Sequence, residues 1–525
     1  MVPAELSVAP VTVTGMARIA VIGAGLGAMA TAARLAVAGH RVTVYERGGT
    51  HGGAVGRFER DGFAFDTGPG LLHLPAVYRD LFVKTGRESL EDSVDLAPVD
   101  PAGRHLFADG TDVSLPNASR GAVAALGGAL GADAGDRWDA FMSRAGAAWD
   151  RVRRPLLEEP LWPDWQVLGK DPYPSVATRR LLRERRAATL AEIGAWELRD
   201  PRLTALLESY ALAFGLDPRR APASAAVLPY MEQTFGTWYV RGGMRALADA
   251  VHARCLARRV EFVFGAEVVA VTVRDGRAAG VELADGTRTA ADHVVAAVHP
   301  RTLDALVHGR PDGAREGHEL YGEGDFQPGP EAAGAGRVTV CLALSGARDP
   351  RAAHRTVVHS ADRAAELRTV FEGAGAPESP TVWVMRPDDP ALRPDDAHET
   401  VVLTAAAPSL DRADWTRASA EAWADAMVAQ ASRAVTGLAG RVLWREVHTP
   451  RDIAARTGAP AGDLPAPALA GASGTHLVRS NSPRLPGLYA AGGWAHPGGG
   501  LAHAGMSGAL VAGLIVEGDG FRGSQ

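Results

Sequence analysis

An α/β fold is predicted by three stretches of the sequence. Near the start, the β-rich run Arg18–Ile22 is followed by a glycine-rich turn, a run of small and apolar residues over 26–38 and a second β-rich run over 41–45, which is the pattern of a βαβ unit. Residues 122–213 are rich in helix-forming residues, whereas short β-runs return between residues 261 and 404. We therefore expect a parallel-sheet unit, a helical insertion and a further region of strands in one chain.

Composition bounds the size and the partners of the protein. The chain has 525 residues, which is too long for a single compact core and suggests two or three structural units. A formal net charge of −6 is mild for this length and argues against a nucleic-acid partner. Cys255 and Cys341 lack CxxC spacing, and the 16 histidines lack HExxH spacing. We therefore expect neither a disulfide framework nor a metal site.

The first glycine-rich turn has the spacing Gly23-x-Gly25-x-x-Ala28. Gly23 permits the tight turn, Gly25 lets a pyrophosphate approach the backbone, and Ala28 keeps helix and strand close together. Glu46, at the end of the second β-run, can accept hydrogen bonds from an adenosine ribose. Because strand, helix and acidic residue are in register, we expect a Rossmann-type dinucleotide site rather than a purely structural turn.

A second glycine cluster favours FAD over NAD as the dinucleotide. Residues 52–57 contain three glycines and end in Arg57, and residues 62–69 end in Gly68 and Pro69. NAD does not need such a cluster, whereas a longer cofactor needs further backbone and cationic contacts for its pyrophosphate and ribityl chain. The alternative is a flexible loop with a surface arginine, which the ordered succession of the motifs disfavours.

The C-terminal segment repeats the pattern of strand, glycine turn and helix. A β-run over 488–491 precedes a glycine-rich turn, and a helix is predicted from Leu501 to residue 516. Such a helix points its positive end at the turn, where it can stabilise negative charge at the pyrimidine end of a reduced flavin. His496 lies in this turn as a base or substrate contact or, as we favour, as a turn residue bonded to backbone.

Besides HLFADGTDVSLP over residues 105–116, four segments carry a resemblance to a known family. They are VIGAGLGAMATAARLAVAGHRVTVYER, GFAFDTGPGLL, PYMEQTFGTWYVRGGMRALADA over residues 229–250, and GLYAAGGWAHPGGGLAHAGMSGALVAGLI. The first is shared by many flavoproteins, whereas the last two are more specific, above all HPGGG followed by SGALVAGLI. From Arg18 onward the chain resembles the phytoene desaturase (carotenoid desaturase) family of FAD-dependent oxidoreductases.

The resemblance implies one FAD, a Rossmann-type FAD-binding domain, a mixed-sheet substrate domain like that of monoamine oxidase, and a helical insertion. It also implies dehydrogenation of a long apolar isoprenoid, such as phytoene, by hydride transfer to flavin N5. The cofactor contacts expected from the motifs and the resemblance are Gly23, Gly25, Leu26, Gly27, Ala28, Glu46, Arg47, Gly53, Ala54, Arg57, Gly68, Pro69, Val268, Gly492, Gly493, Gly499, Gly500 and Leu501.

The expected domain organisation brings separate parts of the chain into the FAD-binding domain. The segments are an N-terminal extension (1–15), three parts of the FAD-binding domain (16–120, 235–300 and 481–525), a helical subdomain facing substrate or membrane (121–234) and a substrate domain (301–480). Within the last of these, residues 460–474 are rich in Pro, Ala and Gly and are expected to form a surface loop.

Four residues are expected on the substrate side of the flavin. His73 and His503 stand where the family usually has other residue types, and Tyr239 lies in the third resembling segment. These departures affect the substrate path and leave the exact polyene open, and even whether the substrate is a polyene. Glu232 is a candidate base, with a hydrogen-bonded structural role as the equal alternative.

Three functions stay open on this sequence. The preferred one is an FAD-dependent desaturase acting on an apolar isoprenoid, with oxygen or a quinone as the electron acceptor. The second is another FAD oxidoreductase on the same scaffold, either an amine oxidase or a tailoring dehydrogenase or saturase of secondary metabolism. The third is a non-catalytic prenyl-binding protein, which predicts no tightly held flavin.

The expected location is cytoplasmic. No apolar run is long enough to span a bilayer, and the first fifteen residues lack the features of a signal peptide. One patch either attaches the protein to the anionic inner face of the cell membrane or forms an ordinary solvated surface. It consists of Trp162, Pro163 and Trp165, flanked by Arg151, Arg153, Arg154 and Arg179.

Overall fold

The computed structural model describes residues 15–180, 183–309, 320–321, 334–373 and 375–524. Residues 1–14 of the expected N-terminal extension and most of the stretch 310–333 lie outside the described residues. The described parts form two main sheets and a helical unit, which confirms the expected α/β fold class.

A five-stranded parallel sheet forms the centre of the first unit. From one edge to the other, its strands are Glu261–Phe264, Arg41–Glu46, Arg18–Ile22, His293–Ala296 and Leu488–Ala490. Val21, Val44 and Val295 are fully buried, as a parallel sheet covered on both faces requires. The expected βαβ unit is present, with its helix at Leu26–Val37. Because the last strand pairs with His293–Ala296, residues from both ends of the chain meet in this sheet.

A three-stranded antiparallel meander extends this unit. Its strands are Val268–Arg274, Arg277–Leu283 and Arg288–Ala290. Asp275 and Gly276, between the first two, both have positive φ, 52° and 69°, which suits a two-residue hairpin turn. Gly286, between the second and third of these strands, also has positive φ, 84°.

A seven-stranded mixed sheet forms the second unit. Its strands, in spatial order, are Val442–His448, Gly336–Ser345, His398–Ala407, Val382–Met385, Arg355–Val358, Gly103–Leu106 and Asp112–Leu115. The pairing of Arg355–Val358 with Gly103–Leu106 is parallel, and the other pairings are antiparallel. The sheet therefore takes strands from both sides of the helical segment in sequence.

The helical unit lies between these strands in the chain, as expected. Its elements are the helices Ser119–Leu130, Ala132–Arg153, Leu190–Ile193, Pro201–Ala213 and Val227–Phe235, the π-helical turns Arg154–Glu158 and Gly194–Leu198, the 3₁₀ turns Trp165–Gly169 and Ala223–Ala226, and a hairpin of Thr178–Arg180 with Arg183–Arg185. Trp138 and Phe141 are fully buried and anchor its core. Trp138 therefore serves packing, whereas Trp162, Trp165 and Trp196 are half-buried.

The remaining elements connect or cover the sheets. The helices are Ala76–Gly86, Met244–Ala257, Pro300–His308, Arg363–Glu372, Arg417–Ala431, Leu438–Arg441, Pro450–Thr457 and Leu501–Glu517, and the short strands are Arg57–Arg60, Phe63–Asp66, Leu72–His73, Leu96–Pro98 and Thr237–Val240. Among the described residues, no helix combines the length and the apolar character needed to cross a bilayer.

The expectation of a surface loop at residues 460–474 was wrong. The segment has little regular structure, yet every residue from Pro467 to Gly471 is buried. The Gly499 N–H donates to the Ala466 carbonyl at 2.8 Å, and Ala468 N–H donates to the Pro497 carbonyl at 2.9 Å. Small side chains let this segment pack its backbone directly on the C-terminal glycine turn, which composition alone did not reveal.

Candidate active site

One large cavity joins the two units. Its volume is about 1410 Å³. Its wall includes the turn after Arg18–Ile22, the second glycine cluster, the C-terminal glycine turn, part of the helical unit and one face of the seven-stranded sheet. All the cofactor contacts expected from the sequence line it except Gly499. The cavity therefore gathers motifs from opposite ends of the chain.

The first glycine turn brings backbone close to the cavity. Gly23 has φ +93°, and a Cβ at Gly27 would lie 2.6 Å from the Cα of Gly492. A Cβ at Gly25 would meet no described atom within 4 Å, and Gly25 caps the helix Leu26–Val37 without a side-chain hydrogen bond. The first N–H groups of this helix are thus available to an anion, as in dinucleotide sites.

Glu46 is held in place at the end of its strand. Its two carboxylate oxygens accept hydrogen bonds from the Ala24 N–H at 2.8 Å and the Gly48 N–H at 2.7 Å. A carboxylate has about four lone-pair sites, so acceptor capacity remains for the hydroxyls of a ribose. The position and chemistry of Glu46 fit the role expected from the sequence.

The second glycine cluster packs on the first. Gly53 has φ +58°, and its Cβ would lie 3.0 Å from the Cα of Gly25. A Cβ at Gly68 would lie 2.1 Å from the Ala54 carbonyl oxygen. Larger residues at these positions would push the two loops apart, so the cluster builds a narrow backbone channel rather than a flexible loop.

Arg47 and Arg57, the two cationic side chains among the expected cofactor contacts, also line the cavity. Arg57 donates to the Gly242 carbonyl at 3.1 Å and pairs with Glu59 at 2.5 Å. Arg47 donates to the carbonyl of Ala455 at 2.7 Å. Both are anchored by protein groups, so their charges are fixed at the cavity wall.

The C-terminal turn forms the opposite side of this channel. The helix Leu501–Glu517 starts at Gly500, which has φ +109° and offers no side-chain cap, so the positive end of the helix is directed at the turn. The Gly492 N–H donates to Ser507 Oγ at 3.0 Å, and Asn481 Nδ2 donates to the His496 carbonyl at 2.7 Å. Sequence reasoning missed Asn481 and Ser507, because their roles depend on this packing.

Gly499 has a packing role. A Cβ at this position would lie 1.7 Å from the carbonyl oxygen of Pro465. No larger residue fits without displacing the buried 460–474 segment. Gly499 thus packs the turn against the 460–474 segment. Gly493, Gly500 and Leu501 line the cavity.

His496 and His503 are separated by this turn. His496 is fully buried, with Nε2 3.0 Å from the Glu159 carbonyl oxygen, and is not among the described residues that line the cavity. This placement favours its structural alternative. His503 does line the cavity. Burial lowers the pKa of both histidines to about 4, so both are neutral near pH 7.

A polar group of side chains also lines the cavity. Glu232 makes a two-pronged ion pair with Arg355, in which Nη1 donates to Oε2 at 2.9 Å. The Tyr210 hydroxyl lies 3.4 Å from Glu232 Oε1, and His73 Nε2 lies 3.5 Å from Oε2. Burial acts to raise the pKa of Glu232, but the charge and hydrogen bonds of Arg355, together with His73 and Tyr210, outweigh it and hold the pKa below its usual value. Glu232 is therefore ionised at neutral pH.

Sequence reasoning found Glu232 and His73 but missed Arg355 and Tyr210. Arg355 begins a strand, Arg355–Val358, that was not predicted. An arginine directly before an apolar β-run was the available signal, but nothing in the sequence places it opposite Glu232. Tyr239, the other expected substrate residue, donates its hydroxyl to Asp389 at 2.7 Å and lines the same cavity.

Apolar side chains surround these polar groups. Along the strand His398–Ala407, alternate residues face the cavity, so that Thr400 and Thr404 flank Val402. Further apolar lining residues are Leu212, Phe214, Leu228, Met231, Val357, Trp383, Met385 and Leu392. This part of the cavity suits a long, mainly apolar ligand with a few polar features.

Comparison with known proteins agrees with this geometry. The family model described as flavin containing amine oxidoreductase matches residues 28–328. The chain is 28% identical over 507 residues to a 4,4'-diapolycopene oxygenase of Methylomonas sp, covering 95% of this chain and 98% of that protein. It is 28% identical over 524 residues to a hydroxyneurosporene desaturase of Rubrivivax gelatinosus, covering 95% and 93%. The resemblance to carotenoid desaturases is confirmed.

The fold is shared with solved structures. A crystal structure of an oxidoreductase from Methanosarcina mazei matches with a TM-score of 0.59 at 17% identity, covering 94% of this chain and 99% of that one. The glycine channel, the uncapped helix starts and Glu46 fit FAD, and the family match confirms the expected cofactor. The chain is an FAD-dependent oxidoreductase, and it belongs to the flavin containing amine oxidoreductase family.

Proposed function

We propose that this enzyme is a desaturase that introduces C=C bonds into an isoprenoid such as phytoene or a related carotenoid precursor. The observation that carries the proposal is that the glycine channel and a largely apolar pocket belong to one cavity. An apolar chain entering that pocket would reach the cofactor without crossing water. The two relatives, an oxygenase and a desaturase of polyenes by name, support this substrate class.

The residues of the chain bind, orient and exclude water. We propose that the turn from Gly23 to Ala28 holds the pyrophosphate, Glu46 the ribose, and the start of the helix Leu501–Glu517 the pyrimidine end. FAD held by these residues would supply the redox chemistry, as the hydride acceptor. Apolar side chains such as Met231 and Trp383 keep the reacting bond dry.

The second hydrogen leaves as a proton, and Glu232 is poorly suited to accept it. Its carboxylate is paired with Arg355, which lowers its pKa and its basicity. His73 is neutral, because burial lowers its pKa. A polyene cation is delocalised, so a weak acceptor such as His73 or water is sufficient. We therefore propose a substrate-contacting role for Glu232 rather than that of a strong base.

The proposal is tested with purified enzyme and polyenes in liposomes. Phytoene and neurosporene are incubated anaerobically with the flavin-loaded protein while flavin absorbance and product spectra are recorded. We expect the flavin band to bleach and a red-shifted polyene to accumulate with at least one substrate. A flavin-loaded protein that is bleached by neither would overturn the desaturase proposal.

A tailoring dehydrogenase or saturase acting on another isoprenoid is the second candidate. The observation that favours it is the Glu232–Arg355 ion pair, which a pure hydrocarbon does not need. Bleaching by an oxygenated isoprenoid but by neither hydrocarbon would support it. Bleaching of the flavin by amines would support an amine oxidase instead.

We also propose that the protein docks reversibly on an anionic membrane, from which such a substrate is drawn. Val167 is 69% exposed beside Trp165, and Arg153 is more than half exposed, with a long 3.4 Å contact to Glu158. Co-sedimentation with phosphatidylglycerol vesicles should fall when Val167→Ser is introduced, with stability unchanged. If the wild type and the variant sediment equally, the patch is an ordinary solvated surface.

The electron acceptor is either oxygen or a quinone. Comparing oxygen uptake with quinone reduction during turnover identifies it.

A further inference from the structure

One arginine faces the cavity without an acidic partner. Arg337 is the second residue of the strand Gly336–Ser345, and it lines the cavity. Its side chain keeps some accessible surface although protein surrounds it, as is expected of a residue that faces an internal space. Burial lowers its pKa to about 10, and within the described part of the chain no carboxylate pairs with it. The guanidinium is therefore charged near pH 7 and has no counter-ion in contact.

The contacts that Arg337 does make leave much of its charge uncompensated. Its Nη2 donates to the carbonyl of Ala213 at 2.7 Å, at the negative end of the helix Pro201–Ala213. A guanidinium has five N–H donors, and a charge enclosed by protein costs free energy unless opposite charge or acceptors meet it. Arg355, the other arginine of the seven-stranded sheet among the described lining residues, is instead paired with Glu232. Arg337 therefore has charge and donors left for a ligand.

The helical unit connects Arg337 to the C-terminal glycine turn. Phe214 directly follows Ala213, which accepts the hydrogen bond from Arg337. A Cβ built at Gly500 would lie 3.5 Å from Phe214 Cε1. Gly500 is the residue from which the helix Leu501–Glu517 starts. One chain of direct contacts thus leads from Arg337 to the start of that helix.

The 460–474 segment makes a second connection to the same turn. Gly336, next to Arg337, pairs with Asp463 in an isolated antiparallel bridge. Two residues further along, Pro465 Cγ lies 3.0 Å from a Cβ built at Gly493. Because Gly493 and Gly500 belong to one turn, the two connections agree. They place the lone guanidinium at the end of the cavity where the C-terminal turn lies.

We propose that Arg337 stabilises the negative charge that the flavin gains on reduction, and so raises the reduction potential of the bound cofactor. A hydride carries two electrons and one proton, so a flavin that accepts it gains one negative charge. A fixed positive charge then favours the reduced form over the oxidised form. The inference rests on the proposed placement of the pyrimidine end at the helix Leu501–Glu517, and it does not depend on which substrate the enzyme oxidises.

The test measures the flavin itself, without any isoprenoid. The midpoint potential of the flavin-loaded wild type and of Arg337→Met is determined by anaerobic dye-coupled reduction at pH 7. We expect the reduced flavin to lose about 10–100-fold in affinity relative to the oxidised flavin, which is a fall of about 30–60 mV in potential. The Kd of oxidised FAD should change by less than about threefold, because that form carries no added charge at the ring. An unchanged potential would overturn the inference.

Conservative variants separate charge from packing. Arg337→Lys keeps the charge, and its ratio of reduced to oxidised affinity should stay within about threefold of the wild type. Arg337→Gln removes the charge but keeps an N–H for the Ala213 carbonyl. It should lower the potential as Arg337→Met does, and it replaces that variant if Arg337→Met does not fold. A lowered potential in Arg337→Lys equal to that in Arg337→Gln would overturn the role of charge.

Arg348→Met is the matched control. Arg348 is also enclosed, with 7% of its side chain exposed, and it donates to the carbonyls of Arg386 at 2.9 Å and Asp349 at 3.1 Å. It is not among the described residues lining the cavity. Arg348→Met should lower the free energy of unfolding and leave the potential unchanged. If Arg337→Met and Arg337→Gln also lost only stability, Arg337 would have a structural role and the inference would be wrong.

Failure of this inference and failure of the proposed desaturase function can be told apart. The potential is measured without substrate, so an enzyme that oxidises neither phytoene nor neurosporene can still show the shift in Arg337→Met. Conversely, a desaturase whose potential is the same in the wild type and the variants keeps its proposed function and loses only the inference.

Discussion

The two ends of the cavity differ in the atoms that line them, backbone at one end and side chains at the other. The nucleotide end is mostly backbone, brought close by glycines such as Gly23, Gly27 and Gly53. The substrate end is made of side chains, among them the Glu232–Arg355 pair. A backbone channel tolerates few changes, whereas a side-chain surface can be altered one residue at a time. The enzyme thus combines a fixed end for the cofactor with an adjustable end for the substrate.

Gly27→Val should break the nucleotide end. A Cβ at Gly27 would lie 2.6 Å from Gly492 Cα and 2.9 Å from the Ala504 carbonyl oxygen, and neither backbone atom can move aside cheaply. Overpacking of about 1–3 kcal/mol, applied where two cofactor turns meet, should weaken FAD binding by up to about 100-fold. FAD titration of the deflavinated protein measures this loss.

Gly49→Ala is the matched control for that substitution. Gly49 is exposed, and a Cβ there would meet no described atom within 4 Å. We expect wild-type FAD affinity. Wild-type affinity in Gly27→Val as well would show that the cofactor does not use this channel.

Glu46→Ala should have the next largest effect. Removing the carboxylate leaves the N–H groups of Ala24 and Gly48 without their acceptor and removes the proposed ribose contact. We expect FAD affinity to fall by about tenfold or more, with Glu46→Gln intermediate because it keeps one acceptor oxygen. At saturating FAD, the relative use of two polyenes should stay unchanged. A change in substrate preference would contradict the separation of the two ends.

The nucleotide end was predictable because its signals are local. Gly23, Gly25 and Glu46 lie within about one βαβ unit, and each residue type has a backbone or ribose function that depends on its near neighbours. The structure places them at one cavity wall, as the motif predicts. The parallel order of the central strands follows from the same local rules.

The substrate end was not predictable in the same way, because its contacts are distant in sequence. Glu232 and Arg355 are 123 positions apart. Their encounter depends on the strand Arg355–Val358 pairing with Gly103–Leu106, two strands without strong sequence signals. The buried 460–474 segment is a similar case, since its composition is that of a loop and only packing against the C-terminal turn buries it. Residue type indicated candidate side chains, but their partners required the fold.

Acid should weaken the substrate end through its buried histidines. Burial lowers the pKa of His354 to about 4. Because this lies below the value near 6.5 of the unfolded chain, the unfolded state binds more protons between pH 6.5 and 4, and stability is lost as the pH falls through that window. For one such histidine the loss between pH 7 and pH 5 is about 2 kcal/mol.

His354→Phe should remove that one contribution. His354 Nε2 has no hydrogen-bond partner among the residues described, and its ring lies 4.6 Å from that of Tyr239, so an aromatic replacement keeps the packing. Urea unfolding at pH 7 and pH 5 should show a smaller acid-induced drop in the variant than in the wild type. The same drop in both would mean that His354 titrates normally.

His496→Ala tests whether this histidine has a structural role or belongs to the substrate end of the cavity. We expect a loss of about 1–3 kcal/mol in the free energy of unfolding, because the Glu159 carbonyl loses its partner at 3.0 Å. Turnover per bound flavin should stay at the wild-type level. His503→Ala is the contrasting variant, since His503 lines the cavity and should alter turnover. If His496→Ala instead reduced turnover per flavin without changing stability, His496 would belong to the substrate end, and that end would extend behind the glycine turn.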